Sequence, residues 1–201
     1  IIQKDDISNP DQVILDVNID KKAKIKVRKI VIEGNKSLSD SKIKGTLITK
    51  GVFSKTHEAG KLNTFLKSKK FIDDRYVKDK QQLIEKYNEL GFRDAVILKD
   101  SVAICDRNHV NIYLKIDEGK KYYLRNVTWV GNTVAITDYL NNVLRMKKGD
   151  VYNQKLLDKR LTSDEDAVGN FYYNSGYVFF NIQPTEVNID NDSIDLEMRI
   201  Y

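Results

Sequence analysis

A single cysteine, Cys105, excludes an intrachain disulfide and fits any redox compartment. The two histidines, His57 and His109, have no motif tying them to that thiol; they read as surface side chains, and Cys105 as a half-buried packing residue. No apolar run approaches the roughly 18 residues of a membrane-crossing helix, and no signal-peptide pattern opens the chain. Two prolines and ten glycines make no flexible linker. Catalysis and metal binding need convergent His, Cys or carboxylate side chains at definite spacing, and none occurs. No catalytic, cofactor-binding or metal residue is therefore assigned, no cofactor is expected, and an enzyme is the least favoured class. Asp164-Glu165-Asp166 lacks the glycine and ligand spacing of a calcium loop and reads as a solvated helix face. Gly34 and Gly131 stand alone, without the glycine-rich run that cradles phosphate, and read as turns.

What the chain does contain is a repeat. Val27 to Asn35 (VRKIVIEGN) returns 97 residues later as Leu124 to Asn132 (LRNVTWVGN), each a β-branched or aromatic strand ending in Gly-Asn. A polar opening and a helical pattern follow each: Ser39-Asp40 before Ile43 and Leu47, and Thr137-Asp138 before Leu140, Val143 and Leu144. A longer helix then closes on Tyr87-Asn88-Glu89-Leu90-Gly91-Phe92 in one copy and on Tyr172-Tyr173-Asn174-Ser175-Gly176-Tyr177 in the other. Those glycines are 85 residues apart, so the first copy carries 12 extra residues, between Gly51 and Asp74. Each copy finishes with two strands around a polar turn: Phe92 to Cys105 and Val110 to Asp117, then Tyr177 to Ile189 and Ile194 to Tyr201. Val13 to Asp20 aligns with Val110 to Asp117 at the same shift of 97, as the last strand of a preceding copy. The expected division is 1–21 as that tail, 22–118 as a full unit with a long insertion between its helices, and 119–201 as a second full unit.

Strand direction sets the topology. If strand one runs up and two antiparallel helices follow, strand two runs down and strand three runs up, most simply between the others. Each unit is then an α+β fold of order β-α-α-β-β, a three-stranded mixed sheet covered on one face by two helices, with strand two on an edge. Tyr76, Leu83, Ile84, Tyr87 and Leu90 form one core stripe; Leu157, Leu161, Val168, Phe171 and Tyr172 form another. The short joint at Glu118-Gly119 is expected to limit bending between units.

Charge is uneven. Residues 21–118 hold 23 Lys and Arg against 13 Asp and Glu, a net of +10, whereas 119–201 hold 10 against 11. Within the basic unit, Lys67, Lys69, Lys70, Arg75 and Lys78 cluster in the insertion and the start of the next helix. They read first as the wet face of that helix and second as a dock for an acidic protein or lipid surface. Nucleic acid is the alternative partner for a tandem of small α+β domains, opposed by the missing Gly-x-x-Gly loop and the near-neutral second unit.

The Gly-Asn strand, the helix pair, the Tyr-plus-Gly-aromatic junction and a closing hairpin that ends in Asp117-Glu118-Gly119 resemble tandem POTRA domains over essentially the whole chain. The long insertion and Gly149-Asp150-Val151-Tyr152-Asn153 are similar to features of the third and fourth domains of such a string. The resemblance implies the periplasmic part of a Gram-negative outer-membrane β-barrel assembly factor, with unfolded outer-membrane proteins and accessory lipoproteins as partners. It also implies a parent chain that continues into a further POTRA domain and a membrane barrel, and no nucleic acid.

An exposed edge suggests how such a module binds, because its unpaired N–H and C=O groups accept an extended segment with little regard to sequence. Phe92, Arg93, Asp94, Ala95, Val96, Ile97, Leu98 and Lys99 are the candidate docking strand; the matching strand of the second unit carries Pro184, which removes a donor.

Overall fold

The computed structural model describes residues 2–5, 13–16, 25–45 and 70–201. A two-stranded antiparallel ladder, β1 (Ile2–Asp5) with β2 (Val13–Asp16), comes first. Two α+β units follow. The first comprises β3 (Lys26–Glu33), α1 (Asp40–Gly45), α2 (Asp73–Glu89), β4 (Val96–Asp106) and β5 (His109–Asp117). In the second, β6 (Tyr123–Val130) leads to α3 (Thr137–Leu144), α4 (Gln154–Asp158), a π-helical turn (Lys159–Ser163), α5 (Val168–Asn174), β7 (Ile182–Asp190) and β8 (Ser193–Ile200). The sheets run β3-β5-β4 and β6-β8-β7; the central strand is parallel to the first and antiparallel to the second, as strand direction required.

The spacing of apolar residues on the first strands is explained by a bulge. Val27, Ile30 and Ile32 are buried, a step of three and then two, because Arg28 is an extra residue between the Val27–Val110 and Lys29–Asn111 pairs. Arg125 does the same in β6, so Leu124, Val127 and Trp129 turn inward. Its guanidinium holds both oxygens of Asp195 at 2.8 and 2.7 Å, which pins the bulge to β8. Both helical stripes reach the core: Tyr76, Leu83 and Tyr87 in one unit, and Leu157, Leu161, Val168 and Tyr172 in the other, are buried. Each unit has its own apolar cluster.

Three local features differ from the sequence expectations. The long second helix of the second unit is broken at Asp164-Glu165-Asp166, which is a loop and not a solvated helix face. Arg160, buried beneath it, binds the backbone oxygen of Val143 and reaches Asp164 at 3.0 Å and Asp166 at 2.6 Å. A guanidinium offers enough donors to hold two carboxylates and a carbonyl together, and the helix yields to that arrangement. Thr137 lies inside the first turn of α3 and does not cap it; Ile136 holds the cap position, and Asn132 Nδ2 steadies the entry by donating to Ala135 O at 3.0 Å. The strands expected from Phe92 and Tyr177 start at Val96 and Ile182 instead.

Candidate partner-binding surfaces

β4 is eleven residues long and pairs only with β5 among the described residues, which leaves its other edge open. Of the candidate docking residues, Val96, Ile97, Leu98 and Lys99 begin this strand, whereas Phe92, Arg93, Asp94 and Ala95 form the turn that leads into it. Gly91, at φ +94°, reverses the chain at the end of α2, and the Phe92 N–H then bonds back to Tyr87 O at 3.0 Å. The chain can extend only after that turn is complete. The edge therefore continues past Lys99 to Asp106, a stretch that sequence reading had not placed in the candidate site.

Register gives β4 two chemically different faces. Val102 pairs with Ile112 and Ile104 with Val110, both core residues, so Val102 and Ile104 lie on the helix side of the sheet. They are nonetheless exposed, Ile104 by 81%. Ser101 and Ala103, opposite Tyr113 and Asn111, lie on the other face. Bulges at Leu98 and Cys105, and an ion pair between Lys80 and Asp100, are the guards on this edge.

The second unit's edge is built differently. Asn181 and Tyr201 exchange both backbone bonds, at 3.2 and 3.0 Å. Alternation along an antiparallel ladder then makes Pro184, opposite Met198, a position whose backbone groups face away from β8. Its missing donor is lost from the outer edge. Two residues on, Glu186 is clamped from both sides of the joint: Arg93 of the first unit bonds it through Nε at 3.0 Å and Nη2 at 2.6 Å, and the hydroxyl of Tyr152, in its own unit, donates to the same carboxylate at 2.8 Å. Burial, and then the hydrogen bond to Glu186, push the Tyr152 phenol well up, so that it stays a donor.

That clamp belongs to a joint between the units. Gly91 O accepts the Tyr122 N–H at 2.9 Å, the Tyr122 hydroxyl donates to Asp94 at 2.7 Å, and Lys155 reaches Glu89 at 2.7 Å. A cleft of about 630 Å³ opens beside it, between Arg93, Gln154, Asp158 and Pro184. Burial opposes the charge on Glu89, but Lys155 and Lys86 outweigh it and hold the carboxyl below its usual range. A carboxylate lowered in this way stabilises the joint fully above its unfolded pKa of about 4.3 and loses that contribution as pH falls through the folded value. Residual dipolar couplings should accordingly report one relative orientation of the units at about pH 6 and a looser one once acid protonates Glu89, below the ordinary carboxylate range. Lys155→Ala should remove that part of the acid response.

In the basic cluster, Lys67 and Lys69 lie outside the described residues, as does His57. Lys70 is exposed and bridges to Lys26 at the start of β3, while Arg75 and Lys78 share the outer face of α2. Among the described residues no group of three or more His, Cys, Asp or Glu side chains could hold a metal ion. No described helix is long and apolar enough to cross a membrane.

Comparison with known proteins agrees with the repeat. The POTRA family profile, described as a surface antigen variable number repeat, matches residues 25–119 and again 122–201. A Treponema pallidum protein to which an outer-membrane protein assembly role is ascribed is 28% identical over 170 residues, 82% of this chain and 18% of its own length. The outer membrane protein assembly factor BamA of Neorickettsia risticii is 23% identical over 87% of this chain and 22% of its own. The chain thus spans about a fifth of these relatives. Among solved structures, the POTRA3-5 fragment of Haemophilus influenzae BamA superposes with a TM-score of 0.61 at 19% identity, over 91% of this chain and 68% of that one. With two copies of the β-α-α-β-β unit, each matched by the same profile, the chain belongs to the POTRA family, and its two domains are similar to those of BamA.

Proposed function

We propose that this chain is a periplasmic, protein-binding portion of an outer-membrane β-barrel assembly factor, and that its first POTRA unit receives unfolded outer-membrane proteins by strand addition at β4. Residues 1–21 are then the tail of a preceding unit, ahead of full units at 22–118 and 119–201. The observation that carries the reading is the open eleven-residue edge of β4, with Val102 and Ile104 exposed beside the core. A segment added there places alternate side chains against that apolar strip and the others toward water. Strands destined for a membrane barrel have this alternation. Four to six backbone bonds at about 0.5 to 1.5 kcal/mol each are largely offset by association and ordering costs, so capture is weak and reversible, as transfer of a client requires. The second unit, with Pro184 on its edge and Glu186 held by Arg93, does not compete for the same segment.

An amide NMR titration with an amphipathic strand peptide tests this. Shifts are expected along Val96 to Asp106, not at Ile182 to Asp190. The same peptide N-methylated at alternate residues should lose binding in one of its two registers, because backbone pairing carries the affinity. Val96→Pro, at the first strand position where proline is best tolerated, should weaken binding without unfolding the unit. Equal binding by both methylated peptides and by the proline variant would falsify strand addition.

Docking of an accessory lipoprotein is assigned to the basic face that includes Lys70, Arg75 and Lys78. Exposure of all three on or beside α2 supports it. Arg75→Glu with Lys78→Glu should weaken that complex and flatten its salt dependence. An affinity that does not change with salt rules the electrostatic dock out, and a duplex oligonucleotide run in parallel tests the nucleic-acid alternative.

A further inference from the structure

The two units end their last helices identically and yet meet different surroundings. Leu90, Gly91 and Phe92 donate to Tyr87 O, Asn88 O and Tyr87 O, each at 3.0 Å; Ser175, Gly176 and Tyr177 donate to Tyr172 O, Tyr173 O and Tyr172 O at 3.1, 3.0 and 3.0 Å. The glycines have φ of +94° and +89°. The aromatic that follows packs edge-on to the helix tyrosine in both, Phe92 on Tyr87 and Tyr177 on Tyr172. At Gly91, however, an added Cβ would meet Val151, Lys121 and Tyr122 of the following unit within 3.2 Å, whereas at Gly176 it would meet nothing within 4 Å. The turn after Gly91 is a seat with an occupant. Its copy after Gly176 is a seat without one among the described residues.

That second seat is apolar and in the open. Tyr173, Tyr177, Val178 and Phe179 are all exposed, Phe179 by 99%. Val178 and Phe179 stand where Arg93 and Asp94 stand in the first unit, the residues that bind Glu186 and Tyr122 across the joint. We infer that Tyr173, Tyr177, Val178 and Phe179 form the docking face for the leading edge of a further POTRA unit in the same polypeptide. The occupant's contact positions, those matching Tyr122 and Glu186, are apolar. Relatives about five times longer than this chain leave length for such a unit. The two joints then differ in kind: the first adds the ion pairs Arg93–Glu186 and Lys155–Glu89 to its backbone and hydroxyl bonds and weakens in part with salt, and the second is held by apolar burial and does not.

This inference rests on reading the chain as a run of POTRA units, not on client capture at β4, and its test adds no client. Hydrogen exchange is measured on the 201-residue chain and on the natural protein that continues beyond Tyr201. In the longer protein, amides of Tyr177 to Phe180 should exchange about tenfold more slowly. The difference should persist in 1 M NaCl and vanish in Phe179→Asp, a change at a side chain that supports nothing within its own unit. Protection around Gly91 should survive that substitution but fall in salt. Equal exchange in the two proteins overturns the inference. So does concentration-dependent self-association of the 201-residue chain that Phe179→Asp abolishes, which would assign the face to a second copy.

Discussion

Gly131→Ala should leave the second unit at the edge of unfolding. Gly131 sits at φ +82° directly after β6, and a Cβ there would lie 2.1 Å from the backbone oxygen of Ile200. That oxygen belongs to Ile200, the last residue of the central strand β8, whose backbone is fixed by its pairing with Ile182 of β7. Left-handed backbone costs alanine about 1 to 2 kcal/mol, and the collision adds enough to reach roughly 3 to 5 kcal/mol in total. A unit of this size has stability of the same order. Gly34, at φ +87° with Ile116 O at 1.9 Å from the same imagined atom, should behave alike in the first unit. Gly149→Ala is the control: its φ is +90° but a Cβ there would touch nothing within 4 Å, so only the strain of about 1 to 2 kcal/mol applies. Amide spectra report each unit separately. Gly131→Ala should collapse dispersion from Tyr123 to Ile200 while the first sheet keeps its signals; loss no larger than that of Gly149→Ala would refute the close-approach argument.

Arg160→Ala should be the most damaging side-chain truncation outside the apolar cores. Arg160 is only 5% exposed and is the common partner of Val143 O, Asp164 and Asp166. Removing it leaves a carbonyl without its charged donor and two carboxylates facing each other without a cation. Charge-assisted bonds of this kind contribute about 1.5 to 3 kcal/mol apiece, and partial exposure of Asp164 and Asp166 limits the sum to roughly 3 kcal/mol. The loop from Asp164 to Ala167 should lose its order first, visible as fast hydrogen exchange at Asp164 and Ala167, whose N–H groups now bond to Lys159 O and Asp164 O. Arg160→Lys should recover little, since an ammonium cannot span both carboxylates and the carbonyl at once.

Most of the fold was legible because it is written twice. A shift of 97 residues aligned two strands, two Gly-Asn turns and two helix starts, and strand direction alone then placed β5 between β3 and β4. Periodicity also located both helical core stripes. Long-range partners were not legible. Nothing near Arg160 in sequence marks Val143 O as its acceptor, so the acidic run looked like a wet helix face. Gly34 and Gly131 read as turns for a sound reason, their positive φ, but the carbonyls that make them irreplaceable come from strands 82 and 69 residues away in Ile116 and Ile200.

The candidate surface divides the same way. The open edge follows from strand order, and Pro184 was visible as a break in it. Where the edge begins was set by the turn after Gly91, which consumes Phe92 to Ala95 before extension starts. Sequence by itself determined the repeat, the class of fold, the topology and the positions of the turns, because these depend on local conformational preference and on the period of apolar residues. Tertiary structure alone decided that Val102 and Ile104 lie exposed beside the core, that Glu186 is clamped by Arg93, and that one glycine seat is filled while its copy is open. Those outcomes depend on which distant groups arrive within bonding distance, and distance in space is a property of the packed chain.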